Sequence, residues 1–189
     1  MRFAAHIRHV DASIRSLSAR RDFCRRLAFA IDTHSCENWV RTELAAAMSE
    51  GAYAPGAPAG YWVWPERDKR TDLPLMWGDD DESVVARMEL KVLYNLRGRG
   101  MENRRRVCAD LRKLRLNDSC RVMLVLLVLL RSERNRWPHL DRLRRMDDFQ
   151  QEIIDATGIP ARRCKPFDAA VCKLAWHEEL RARFLRIVV

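Results

Sequence analysis

Nine consecutive apolar residues, Val122–Leu130 (VMLVLLVLL), constrain this chain more than any other feature. A half-exposed strand alternates apolar with polar, and a surface helix keeps one polar side, so a run this uniform must be buried all round. It is less than half the roughly 20 residues that a membrane-spanning helix needs. We therefore expect a central strand covered on both faces, and with it an α/β protein whose helices flank a sheet.

The flanking sequence supplies those helices and further strands. Ile14, Leu17, Phe23, Leu27 and Ile31 recur near helical spacing among arginines, which predicts one amphipathic helix over about 11–31. Trp39, Val40, Leu44, Ala47 and Met48 predict a second, from Cys36 to about Glu50, with Gly51 as its stop. The stretch Gly51–Gly60 (GAYAPGAPAG) reads as a loop. The period then changes to two: Tyr61–Trp64, Asp72–Trp77 and Ser83–Tyr94 (SVVARMELKVLY) read as strands, the last two joined through the acidic turn Gly78–Glu82 as an antiparallel hairpin. Glu102–Leu116 reads as a helix with Val107, Leu111 and Leu114 on one face. A long charged helix is expected from His139 to Thr157, closed by Gly158-Ile159-Pro160. Beyond it the pattern is ambiguous, and Trp176–Leu185 is read as a final helix followed by a short strand, Arg186–Val189.

With 189 residues the chain suits one domain: a core over about 36–158, an N-terminal helix and a C-terminal extension over 159–189. Its 35 Lys and Arg outnumber 26 Asp and Glu, giving a formal charge of +9 that favours anionic partners through long-range attraction. No apolar stretch at the N-terminus resembles a secretory signal, so a cytoplasmic protein without a membrane anchor is expected, with signal-independent secretion as a toxin left open. The six cysteines form no C-x-x-C pair and read as reduced thiols, which argues against zinc.

The chemistry concentrates in Asp72 and in Glu89-Leu90-Lys91. Alternation along a strand puts Glu89 and Lys91 on one face and Leu90 on the other, and hairpin pairing brings Asp72 toward Glu89. Two carboxylates at that separation repel unless a cation lies between them, and oxygen donors suit a hard divalent ion. Asp72, Glu89 and the Leu90 carbonyl are the candidate ligands. Lys91 is then placed to orient an attacking water and stabilise charge on a phosphoryl group. An E-x-K triplet alone is weak in a chain with 32% charged residues. Its strand context and the upstream aspartate give it weight.

This arrangement resembles the PD-(D/E)XK nuclease superfamily, over roughly residues 36–158. The resemblance implies a restriction-endonuclease-like core in αβββαβ order, a mixed four-stranded sheet flanked by helices, with the N-terminal helix as an addition. It implies a phosphodiesterase dependent on Mg²⁺ or Mn²⁺ that leaves 5′-phosphates, with Asp72, Glu89 and Lys91 as its catalytic residues. An acidic residue on the first core helix maps best to Glu43, and less well to Glu37. The position before Asp72 is Thr71 rather than proline, a departure from the motif. Arg97, Arg99, Arg104, Arg105 and Arg106 follow the E-x-K strand and are the candidate phosphate contacts, with DNA favoured over RNA. A homodimer or larger complex is compatible with this reading. The alternatives are a catalytically silent nucleic-acid- or protein-binding member of the same fold, in a defence or mobile-element role, and an assembly subunit whose basic face meets an acidic protein.

Overall fold

The structure, a computed structural model, describes residues 2–33, 35–49, 60–63, 72–78, 84–94, 100–115, 121–131, 139–169, 171 and 179–189. In chain order the elements are α1 (Arg2–Ala19), α2 (Phe23–Asp32), α3 (Cys36–Met48), β1 (Tyr61–Val63), β2 (Leu73–Trp77), β3 (Val84–Tyr94), α4 (Gly100–Arg115), β4 (Arg121–Arg131), α5 (His139–Thr157), β5 (Cys164–Asp168) and β6 (Glu179–Val188). A single 3₁₀ turn, Ala161–Arg163, precedes β5.

The apolar run is the centre of the sheet, as its composition requires. Along β4, Val122, Leu124, Leu126 and Val128 pack into one core with α1, α2 and α3. Met123, Val125, Leu127 and Leu129 pack into a second with α4 and α5. Each of these eight side chains is at most 1% exposed. Full burial of a Val or Leu is worth about 1.5–3 kcal/mol, so this strand anchors both layers.

Six strands lie in the order β1-β2-β3-β4-β6-β5, where four were expected. The expected meander β1-β2-β3 is antiparallel throughout, and β3 and β4 pair in parallel across the α4 crossover. The additional part is β6, which pairs antiparallel with β4 from Arg131↔Glu179 to Val122↔Val188 and carries β5 on its outer edge. The helix expected over Trp176–Leu185 is therefore corrected: 179–185 belong to the strand, and 172–178 lie outside the described residues. The sequence ELRARFLRIV hides a period of two. Leu180, Ala182 and Phe184 face the first core while Leu185 and Ile187 face the second, and Arg183 and Arg186 between them are buried by ion pairs rather than solvated.

The single N-terminal helix resolves into α1, which begins at Arg2, and α2. Leu17 and Phe23 are six positions apart and cannot share one face of a straight helix, since each residue advances about 100°. The chain turns through Arg20–Asp22, with the Arg20 N–H donating to the Leu17 carbonyl at 3.2 Å, and both apolar faces reach the sheet. Helix α3 then leads into β1, where Ser49 Oγ accepts from the Val63 N–H at 2.9 Å. Among the described residues no helix is long and apolar enough to cross a membrane. Cys24, Cys36, Cys108 and Cys164 are buried and belong to no disulfide.

Candidate active site

The site forms where β2 begins. Opposite Met88, Leu73 is the first paired residue of β2, and beyond it the ladder stops. There the Asp72 side chain takes over as acceptor: its Oδ2 receives the Leu90 N–H at 2.9 Å. A strand residue sends its N–H and C=O to the same side, so the Leu90 carbonyl is directed past the end of β2 toward the same gap. The Leu90 side chain, fully buried, points into the core beneath α1–α3.

Glu89 and Lys91 project from the other face of β3, where α4 covers the sheet. Lys91 Nζ lies 3.3 Å from Glu89 Oε1 and 3.5 Å from Asp110 Oδ2 on α4. All three are mostly shielded, with side chains 20%, 26% and 17% exposed for Glu89, Lys91 and Asp110. Asp110 is also held by Lys113, at 3.0 Å. From the opposite layer, Arg41 on α3 places Nη2 3.1 Å from Asp72 Oδ1, with Glu37 Oε1 at 3.9 Å on the preceding turn.

Burial pushes the Glu89 carboxyl above its ordinary range, and the negative charges of Asp72 and Asp110 push it further, against the pull of Lys91. For Lys91 burial acts to lower the pKa, yet Glu89, Asp110 and Glu37 outweigh it and the net shift is upward. The ammonium thus stays charged at neutral pH. It can stabilise an anion or orient a water, and it is a poor proton acceptor.

The structure thereby brings together Asp72, Glu89, Leu90 and Lys91, as the sequence pattern anticipates. Glu43, the preferred acid of the first core helix, is seated elsewhere: it is buried, with Arg26 at 2.6 Å and Arg20 at 3.3 Å on the α1–α2 side. Glu37, the weaker candidate, is the acid of that helix whose charge reaches Lys91. Six residues along a helix rotate a side chain by roughly 240°, so Glu37 and Glu43 cannot face one site together. Arg41 and Asp110 were not singled out from sequence. The only available signal was helical spacing: Arg41 follows Glu37 by one turn, and Asp110 borders the buried Val107–Leu111–Leu114 stripe.

Of the proposed phosphate contacts, Arg97 and Arg99 lie outside the described residues. Arg104 pairs with Glu152 on α5 at 3.3 Å, Arg106 with Glu102 at 2.5 Å, and Arg105 is exposed. Two of these three charges are thus already engaged within the α4–α5 layer.

No family model, curated protein or solved structure matches this chain. Its own chemistry therefore carries the reading. Among the described residues, no group of three or more His, Cys, Asp or Glu side chains is arranged to hold a metal ion. A zinc or calcium cage would need such a group. Magnesium characteristically uses one or two carboxylates and keeps several waters, and the hard donor set of Asp72, Glu89 and the Leu90 carbonyl fits that pattern.

Proposed function

We propose that this protein is a restriction-endonuclease-like phosphodiesterase that hydrolyses DNA with Mg²⁺ or Mn²⁺. The observation that carries this reading is the convergence of Asp72, Glu89 and Lys91, with Asp72 locked to the Leu90 backbone. Asp72, Glu89 and the Leu90 carbonyl would hold the metal, which when bound supplies charge neutralisation at the phosphate and an acidified water. Lys91, fixed by Glu89 and Asp110, would orient an attacking water and donate to the phosphoryl oxygens, so that developing negative charge meets a preorganised cation. Asp110 keeps the ammonium from folding onto Glu89 alone.

One observation favours a second reading, a catalytically silent nucleic-acid-binding protein: the carboxylates already have cationic partners in Arg41 and Lys91. Plasmid DNA incubated with the purified protein separates the two. The nuclease reading expects cleavage in Mg²⁺ or Mn²⁺, none in excess chelator, and a loss of about 10²–10³-fold in Lys91→Ala with melting temperature little changed. Cleavage that survives chelator, or a full wild-type rate in Lys91→Ala, would refute it; DNA binding without cleavage would establish the second reading.

A further inference from the structure

Asp72 has two carboxylate oxygens, and their partners differ in kind. Oδ2 accepts from the Leu90 N–H, a backbone group of a buried strand that cannot move away. Oδ1 faces the Arg41 guanidinium, carried on a side chain from another layer of the fold. A cation approaching Asp72 therefore meets Oδ1, and meets Arg41 there first. The Arg41 side chain is only 13% exposed, and the same Nη2 lies 3.9 Å from Glu37 Oε1, so a second anion stands beside the guanidinium.

We infer that Arg41 is an exchangeable counterion: it neutralises Asp72 while no cation is bound, and it passes to the anionic oxygens of a phosphodiester once a divalent cation takes Oδ1. This rests on the phosphodiesterase reading and adds to it a substrate-binding residue outside the D…E-x-K pattern. The physical ground is competition between like charges. A divalent cation on Oδ1 and a guanidinium 3.1 Å from that same oxygen repel each other, so occupancy of one disfavours the other by the same factor. The displaced guanidinium presents a planar fork suited to two phosphate oxygens. The phosphodiester that comes to a metal at Asp72 and Glu89 is the nearest new anion.

The inference makes two predictions of opposite sign for one substitution. Arg41→Gln should bind Mn²⁺ more tightly, by about tenfold, because a competing charge is gone. It should bind a short labelled DNA duplex more weakly, by about tenfold in Ca²⁺, because a charge-assisted contact to phosphate is lost. Arg41→Lys keeps the charge and should stay near wild type in Mn²⁺ affinity while recovering part of the duplex binding. Mn²⁺ binding is followed by the electron paramagnetic resonance of the free ion, duplex binding by fluorescence anisotropy, and folding by melting temperature. If wild type binds Mn²⁺ and Arg41→Gln leaves that affinity unchanged, or weakens cation and duplex binding together, Arg41 is a structural residue and the inference is overturned while the phosphodiesterase reading stands. If wild type binds no Mn²⁺, that reading fails and the inference falls with it.

Discussion

Removal of Asp11 tests whether the strand that extends the sheet is held by a buried ion pair. Asp11 on α1 receives Arg186 Nε on Oδ1 at 2.9 Å, with Nη2 3.4 Å from Oδ2. The two side chains are 8% and 7% exposed. Lys165 also reaches Oδ2, at 2.9 Å, but is 43% exposed. In Asp11→Leu the Lys165 ammonium can rehydrate, so its share is at most about 1 kcal/mol. Arg186 cannot. It stays buried on β6 with a 3.4 Å contact to the Arg163 carbonyl, and an uncompensated buried charge costs about 3–5 kcal/mol. The retained carbonyl argues for the lower end. About 3 kcal/mol corresponds to a fall of roughly 6–12 °C in melting temperature for a domain of this size. Equilibrium unfolding in urea and thermal melting both read it. The paired replacement Asp11→Leu with Arg186→Met should recover most of the loss, because the charge and its penalty leave together. A loss below about 1 kcal/mol in Asp11→Leu, or a double variant no better than the single, would refute the argument that this pair fastens β6 to α1.

Two further predictions concern pH. Glu89 titrates above its ordinary 4.5, so its ionised form destabilises the fold; the favourable contribution is complete below 4.5 and is lost as pH rises through the raised value. Glu89→Gln should therefore melt higher than wild type near neutral pH, with the advantage vanishing below 4.5, and a lower neutral-pH melting temperature would show that the Lys91 contact dominates. His9 donates from Nε2 to the Met48 carbonyl at 2.7 Å and stacks on Tyr61, ring centroids 4.0 Å apart. Burial, together with the neighbouring His6, holds its pKa below the ordinary 6.5 against the pull of that carbonyl. The unfolded chain thus takes the proton first as pH falls through 6.5, and stability drops until the folded value is reached. His9→Gln should flatten that part of the melting profile, and an unchanged acid slope would assign it to other groups.

What was legible from sequence was whatever depends on near neighbours. The uniform run of β4 announces burial on both faces without reference to any partner. The spacing of Glu89 and Lys91 fixes a shared face by alternation alone, and Asp72 is recognisable because it opens a strand that hairpin pairing must bring alongside. What escaped depends on distant partners. Arg186 reads as a surface residue until Asp11, 175 positions away, is seen beside it. Arg183 likewise needs Asp147 and Asp168, and those pairs turn a segment with the charge pattern of a solvated helix into a buried strand. Arg41 and Asp110 meet the site only through the packing of α3 and α4, which no local period specifies.

The choice of residue at position 91 joins these two levels. Of the chain's 35 basic residues only five are lysines, so a basic position here is ordinarily filled by arginine. The buried pairs at 183 and 186 show what arginine does in this fold: its fork reaches two or more acceptors and is fixed by them. Between Glu89 and Asp110 a fork would engage those carboxylates with its planar donors and leave little for a third partner. A compact ammonium at 3.3 and 3.5 Å from them leaves a donor pointing out of the pair. Arg183, between Asp168 of β5 and Asp147 of α5, shows that arginine serves a structural cation flanked by carboxylates from a strand and a helix, so the lysine in the same setting at 91 is an exception to the chain's own habit and is what the proposed contact with a phosphate or a water requires.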